Sequence, residues 1–452
     1  GRRHTRLHGA APRRVMNRWL TLPVCLASFL AVLAHPAGAA LSDTDRQFIE
    51  EVVGLIEEHH GKGHDRDDLM RRATDAVATA YEKSATVAGP PPVSPAELGI
   101  KTFVASLGPH NFYATGSQAR QRRAWFAGAP KARLGLIGTT TADGFAIRLI
   151  YPDGPAEKAG LLPDDLIIAI NGQPLPGKSR KQVAELLQGK DGEQISLTLR
   201  RGDATLNLPA VFDQTDTASV LSRRFGDRGY IWISRFNQQM EKGFQRAVGD
   251  LTPFGPAIEP VTGLIIDLRN NQGGYLRQAI SLSDSFLAGG RIARVDGRHE
   301  KAPRLYDARP GEDFRGLPVV ILVNAVTRSS AEIFAAALRD NDRAVLMGQT
   351  TYGKGVGQRT YKVDATGGSL TLVRTVVTPP SGKVFDGVGL TPDILLRTDK
   401  TDGFDPSLCP PLAASPFSDS GIACAIAYLK AGSVQGFYES LGGIAGPGQK
   451  LQ

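Results

Sequence analysis

The sequence predicts a mixed α/β chain of several domains: a layered α/β core, a strand-rich domain inserted ahead of it, and a helical segment before both. Three observations predict this. The runs Gly263–Leu268 and Leu317–Asn324 are continuous and apolar, as strands buried on both faces are, and each is followed by a short turn and a helical stretch. Between about Leu134 and Phe212, short apolar strands alternate with turns and one helix. From Ser42 to about Tyr81 the apolar residues Phe48, Val52, Val53 and Ile56 recur with the period of an amphipathic helix.

Size and charge narrow the class. With 452 residues, 41% hydrophobic and 22% charged, the chain has core enough for about two to four domains. That excludes a scaffold held together by disulfides or metals, wholesale disorder, and a multi-span membrane protein. The formal net charge of +8 would, alone, point to nucleic acid or an anionic surface.

The charge is local to one end. Residues 1–39 hold Arg2, Arg3, Arg6, Arg13, Arg14 and Arg18 and no acidic residue. An apolar stretch from Leu20 to Leu33 follows, then Ala37-Gly38-Ala39. A basic start, a short apolar centre and a small-residue exit describe a secretory signal peptide cleaved after Ala39, with Met16 as the start and Gly1–Val15 as upstream sequence. The alternative is an uncleaved membrane anchor, but the run has 14 residues, interrupted by Pro23, where a span needs about 20. Without this segment 47 basic residues face 45 acidic ones, so no basic patch for nucleic acid remains and a periplasmic protein is expected. Cys25 leaves with the signal. Cys409 and Cys424 remain as an even pair in an oxidising compartment, which favours a disulfide over two unrelated thiols.

Four segments follow. Residues 40–133 form the helical segment, with a second helical run from Asp67 to Tyr81 and a stiff linker from Ala88 to Pro95. His59, His60 and His64 lie between the helices; no carboxylate or Cys stands at ligand spacing, so they read as a solvated helix end rather than a metal clip. No metal and no cofactor are expected. Residues 134–211 hold strands at Phe145–Ile150, Leu166–Ile170 and Ile195–Arg200 and a helix at Lys181–Leu187. Residues 212–397 are the core. Residues 398–452 form a tail rich in Pro, Ser and Gly with one short helix near Cys424–Lys430, and no function is assigned to it.

The strand-rich segment carries a resemblance. Leu134 to Gly138, Gly154 to Leu161 and Asp165 to Gly172 resemble a PDZ domain of the kind found in bacterial proteases. Such a domain captures a peptide C-terminus along a sheet edge, with the carboxylate in a nest of backbone N–H groups. The resemblance implies that Leu134, Gly135, Leu136, Ile137 and Gly138 form that nest. Asp164 departs from the glycine usual in the turn, and Asp tolerates the left-handed region.

In the core, Ser329 can be read in two ways. Ser329 and Glu332 have the spacing of a helix capping box ahead of the helical run Ile333–Leu338. Yet the wider frame from Thr327 through Leu338 to Lys354 and Gln358, with Asp267–Gly274 and Thr378–Asp393, resembles the C-terminal processing peptidases, a family of Ser-Lys proteases. The likeness runs from about residue 100 to 395. It implies Ser329 as nucleophile, Lys354 as base, Gln358 as the residue orienting Lys354, and an oxyanion hole from backbone N–H groups of Gly273, Gly274 and Ser330.

The residue types suit that chemistry. A serine hydroxyl is a poor nucleophile until a base takes its proton. After the signal only His59, His60, His64, His110 and His299 remain; four precede the core and His299 sits in a charged loop, so a His triad is unsupported. Lysine can serve if neutral, and burial lowers its pKa. Gly353 and Gly355 flank Lys354 and suit close packing. Gln272 replaces the family's proline in the glycine turn, Ser330-Ala331 an Ala-Ser or Ala-Ala order, and Gly357 a valine.

The resemblance thus implies a periplasmic serine endopeptidase that binds protein or peptide substrates by their C-termini and cleaves through an acyl-enzyme. It allows an adaptor, a homo-oligomer, and inner-membrane association if the leader stays attached. The rival readings are a catalytically silent peptide-binding or scaffold protein on the same fold, and a Ser-Lys amidase or esterase acting on small molecules.

Overall fold

The structure is a computed structural model. It describes residues 41–86, 93–127, 131–215, 219–252, 259–298, 303–311, 314, 316–398, 402–412 and 419–442. The signal-peptide segment and most of the Pro-rich linker lie outside the described residues. Among those described, no helix is long and apolar enough to cross a membrane.

The fold is the mixed α/β arrangement expected. A six-stranded sheet runs in the order Val220–Phe225, Arg228–Ile233, Gly263–Asp267, Val319–Val323, Val345–Gly348 and Ile394–Leu395. From its second strand onward it is parallel. The two continuous apolar runs are its centre, and every residue of Gly263–Asp267 and Val319–Val323 is buried because helices cover both faces.

On one face lie Met240–Leu251, Leu276–Asp284 and Ser330–Asp340, joined in one core through Phe244, Phe286 and Phe334. The other face is covered by Ser420–Ala431 and Val434–Ser440 together with Ala146, Leu149 and Leu166 of the strand-rich domain. The tail segment is therefore a structural layer of the core. Its Pro- and Ser-rich composition hid this, although Ile422, Cys424 and Phe437 are fully buried.

The N-terminal helices Asp43–His59, Arg66–Ala85 and Pro95–Ala105 pack on a second sheet, built on the long strand Gly368–Thr378. His60 corrects the sequence reading of a solvated helix end: it is 2% exposed, and its Nδ1 meets His64 Nε2 at 2.9 Å. Among the described residues no group of three or more His, Cys, Asp or Glu could hold a metal ion.

The strand-rich domain is a sheet in the order Leu136–Thr141, Gly144–Ile150, Leu166–Ile170, Gln194–Arg201 and Ala204–Val211, with the helix Arg180–Leu186 beside it. It joins the rest of the chain through Lys131–Arg133 paired antiparallel with Asp213–Thr215. Only Leu134 and Gly135 of the expected nest form a loop. Leu136, Ile137 and Gly138 are strand, because their ladder with Gly144–Ile150 continues to Leu136 opposite Ile150. That strand is a sheet edge. A cleft of about 1250 Å³ runs from this edge and the Arg180–Leu186 helix to Asn270 and Asn324 of the core.

Asp164 has φ 73° and forms an ion pair with Arg223 of the core. The side chain that replaces the usual turn glycine thus ties the strand-rich domain to the core.

Cys409 and Cys424 are bonded, with Cα atoms 5.1 Å apart, and close a loop within the tail that packs on the core face. Closing a loop of this length constrains the unfolded chain by about 3 kcal/mol. Cys424→Ala, or reduction of the native protein, is therefore expected to cost about 2–4 kcal/mol in urea unfolding. Identical unfolding midpoints with and without reductant would contradict it.

Candidate active site

Three neighbouring parallel strands end on one edge of the core sheet. Gly263–Asp267 leads into the glycine turn, Val319–Val323 into the Ser329 loop, and Val345–Gly348 into the Thr351–Lys354 loop. Loops at the carboxyl ends of adjacent parallel strands share a crevice, so residues far apart in sequence meet there.

Side-chain amides knit the first two loops together. Asn270 N–H donates to Asn324 Oδ1 at 3.0 Å, Arg328 N–H to Asn271 O at 3.0 Å, and Thr327 Oγ1 to Leu268 O at 2.9 Å. Buried Asn271 donates through Nδ2 to Ile233 O at 2.8 Å. A Cβ on Gly273 would stand 2.7 Å from both the Ser329 Cβ and the Arg328 carbonyl, and φ there is 85°, so glycine is required beside Ser329.

Ser329 begins the helix Ser330–Asp340 with φ 61° and ψ −124°. A non-glycine residue held at such angles costs about 1–3 kcal/mol, and sharp strained turns of this kind present nucleophiles at sheet edges. Its N–H donates to Glu332 Oε2 at 2.8 Å. The capping carboxylate read from the sequence is therefore present.

Glu332 does more than cap. Fully buried, it also accepts from Gly353 N–H at 2.7 Å, Lys354 N–H at 2.8 Å and the Thr351 hydroxyl. Burial pushes its carboxyl pKa up, and these donors oppose the rise. One carboxylate thus fixes the backbone of Ser329 to that of Lys354.

Lys354 Nζ donates to Gln358 Oε1, and Gln358 Nε2 donates to the carbonyl of His110. Among the described residues no hydrogen bond joins the Lys354 amine to the Ser329 hydroxyl. A bulge between Gly357 and Gln358 sets the Gln358 position. A Cβ on Gly357 would lie 2.1 Å from Thr375 Oγ1, which explains glycine in place of the usual valine. Burial, followed by the charges of Arg328 and Arg122, brings the Lys354 amine down to about 8.

For the expected oxyanion donors the structure requires a correction. The Gly273 N–H is spent on Asn271 Oδ1 at 2.8 Å. The Gly274 and Ser330 N–H groups have no acceptor among the described residues, and the two segments are joined by Ser330 Oγ donating to Gly274 O at 3.0 Å.

Residue order hid several site residues. His110 was set aside because it precedes the core, yet the second sheet carries its carbonyl to Gln358 through the pairing of Phe112–Ala114 with Gly368–Thr378. Asp386 accepts the Gly355 N–H at 2.8 Å and so shapes the lysine loop.

Comparison with known proteins fits this geometry. Peptidase family S41 matches residues 227–396, and the PDZ domain matches residues 147–201. Over 320 residues the chain is 32% identical to the carboxy-terminal-processing protease of Bartonella bacilliformis, across 69% of this chain and 72% of that protein.

The chain belongs to peptidase family S41. More distantly, it is 28% identical over 249 residues to a Staphylococcus epidermidis protein described as a CtpA-like serine protease, spanning 55% of this chain but only 50% of that one. A solved structure described as an S41 protease candidate from Bacteroides fragilis shares the fold, with a TM-score of 0.52 at 19% identity over 80% of this chain and 91% of that chain. The chain thus has the S41 core with an inserted PDZ domain that its motifs implied.

In this S41 peptidase Glu332→Gln keeps size but turns an amide NH₂ toward backbone donors. Leaving buried donors unmet costs about 1–3 kcal/mol. The variant is expected to lose that much stability and, more tellingly, to label at least tenfold more slowly with a serine-directed fluorophosphonate. Unchanged labelling would remove Glu332 from the site's support.

Proposed function

We propose that this chain is an exported serine endopeptidase that takes hold of protein C-termini through its PDZ domain and cleaves the captured chain with Ser329 and Lys354. The observation that carries this reading is the double tether at Glu332, which binds the Ser329 and Lys354 backbones to one carboxylate. A serine and a half-buried lysine on separate strands need such a tether to act together.

In the proposed reaction the neutral Lys354 amine takes the Ser329 hydroxyl proton as Oγ attacks the scissile carbonyl. The oxyanion rests on the N–H groups of Gly274 and Ser330. Lysine then returns the proton to the leaving amine, and the acyl-enzyme is hydrolysed by a water that the lysine deprotonates. Gln358, anchored on His110, holds the amine between these roles.

The PDZ domain supplies the substrate end. Leu136–Thr141 offers a free sheet edge, and the Leu134–Gly135 loop at its start would receive the terminal carboxylate. Because the Lys354 amine faces Gln358, we read the resting state as one of two populations, with peptide capture favouring the one in which lysine meets serine.

Ser329→Ala and Lys354→Ala are each expected to abolish hydrolysis of an unfolded protein while leaving peptide binding intact. Wild-type kcat/KM should rise with pH through about 8 and fall about tenfold per unit below it as Lys354 takes a proton, where an ordinary lysine would place the inflection near 10.4. Full proteolysis by either variant would refute the dyad, and absence of serine-probe labelling would favour the binding-only reading. Export is proposed from the leader composition. A tagged full-length chain should fractionate with the periplasm and begin after Ala39, and a cytoplasmic product would contradict it.

A further inference from the structure

Arg328, immediately before the nucleophile, has no ion-pair partner among the described residues. Its Nη2 donates to the amide oxygen of Gln272, the residue that replaces proline in the glycine turn, and its Cζ lies 5.3 Å from the Tyr352 ring centroid. Arg122, on the helix Gly116–Ala127, is held similarly, with Cζ 4.4 Å from the Phe112 ring centroid and no ion pair among the described residues. Its Cζ also lies 6.0 Å from the Phe126 ring centroid, and that ring packs at 5.5 Å on Tyr275 beside the glycine turn, so Arg122 approaches the site from that side; partial desolvation and then the charge of Arg328 lower its pKa.

The neighbouring anions are already engaged. Both Glu332 oxygens hold donors from Ser329, Thr351, Gly353 and Lys354, and Asp386 Oδ1 holds the Gly355 N–H. A guanidinium next to the nucleophile and a second on the adjoining helix, both steadied on aromatic faces and without an ion pair among the described residues, are suited to a planar carboxylate.

We propose that Arg328, assisted by Arg122, is a specificity residue that receives a substrate carboxylate side chain flanking the scissile bond; this rests on the peptidase reading above. The subsite is coupled to catalysis. Lys354 is faced by Arg328, Arg122, Asp386 and Glu332, and its charge in turn reaches His110. A bound carboxylate would offset the two guanidiniums, so acidic substrates should show their pH–rate inflection at higher pH than neutral ones.

The test uses the full mature chain and peptides sharing one C-terminus, so that PDZ capture is constant, with Glu or Gln placed at one position at a time across the cleaved bond. The wild type should prefer Glu over Gln in kcat/KM by about tenfold at one position, as charge-assisted pairing allows. Arg328→Gln should bring that ratio to about one, Arg328→Lys should keep part of it, and high salt should weaken it. The Glu peptide's pH–rate inflection should lie above that of the Gln peptide in the wild type and coincide with it in Arg328→Gln. The same pairs are measured for binding to Ser329→Ala with and without Arg328→Gln. If the wild type cuts nothing but Ser329→Ala prefers the Glu peptide through Arg328, the peptidase reading fails and the carboxylate subsite stands. Cleavage with no Glu preference at any position, or a preference that survives Arg328→Gln, overturns the subsite. No cleavage and no binding difference overturns both.

Discussion

The site depends on one buried carboxylate. Glu332 ties the first turn of the Ser330–Asp340 helix to the Thr351–Lys354 loop through donors on both sides. An ionised group without exposure is tolerated only when its lone pairs are occupied. Here occupying them requires that two loops from different strands be in place together. The desolvation cost of the carboxylate is thus turned into a geometric condition, since neither loop can shift without uncovering a buried charge.

A second buried network lies close behind the glycine turn. Asp267, fully buried at the end of its strand, accepts from Tyr230 Oη at 2.7 Å and from Arg269 Nη2 at 2.6 Å, and Arg269 also reaches Asp419 at 2.7 Å. Arg148 of the PDZ domain stands 3.5 Å from Asp267 and 3.7 Å from Asp419. Burial raises the Asp267 pKa and the arginines and Tyr230 outweigh it, so its carboxyl titrates below the usual range. PDZ domain, protease core and disulfide-bonded tail therefore meet on one charged cluster six residues before Gly273. Any displacement of the PDZ domain must break or re-form these contacts, which lie on the strand leading into the turn beside Ser329.

Much of this was legible in the sequence because it rests on local rules. Continuous apolar runs gave the central strands, and the spacing of Phe48, Val52 and Ile56 gave the first helix. Ser329 posed a choice between helix cap and nucleophile that the structure dissolves: the Ser329 N–H bond to Glu332 is the cap, and the same carboxylate holds the lysine loop. What stayed hidden was non-local. His110 comes 248 positions before Gln358 and reaches it only through pairing in the second sheet. The tail looked like a loose appendage because its apolar residues are sparse and its packing partners lie in two other segments. The reach of a glycine turn's N–H groups is likewise a matter of backbone direction, so the sequence could not reveal that Asn271 takes the donor of Gly273.

The same accounting explains why the Lys354 amine titrates low for a lysine. A lysine beside two carboxylates would ordinarily pair with one and stay charged. In this site Glu332 and Asp386 direct lone pairs at backbone N–H groups, and their pull on Lys354 is outweighed by burial and by the charges of Arg328 and Arg122. The side chain keeps a neutral partner, Gln358, whose amide oxygen accepts from the amine without strongly favouring its charged form. Replacing Gln358 with a carboxylate would preserve that hydrogen bond while restoring an ion pair, and the amine would then hold its proton to a higher pH than it does beside the amide. An amide, rather than a carboxylate, four residues after Lys354 is thus a condition of the lysine's lowered pKa as well as of its orientation.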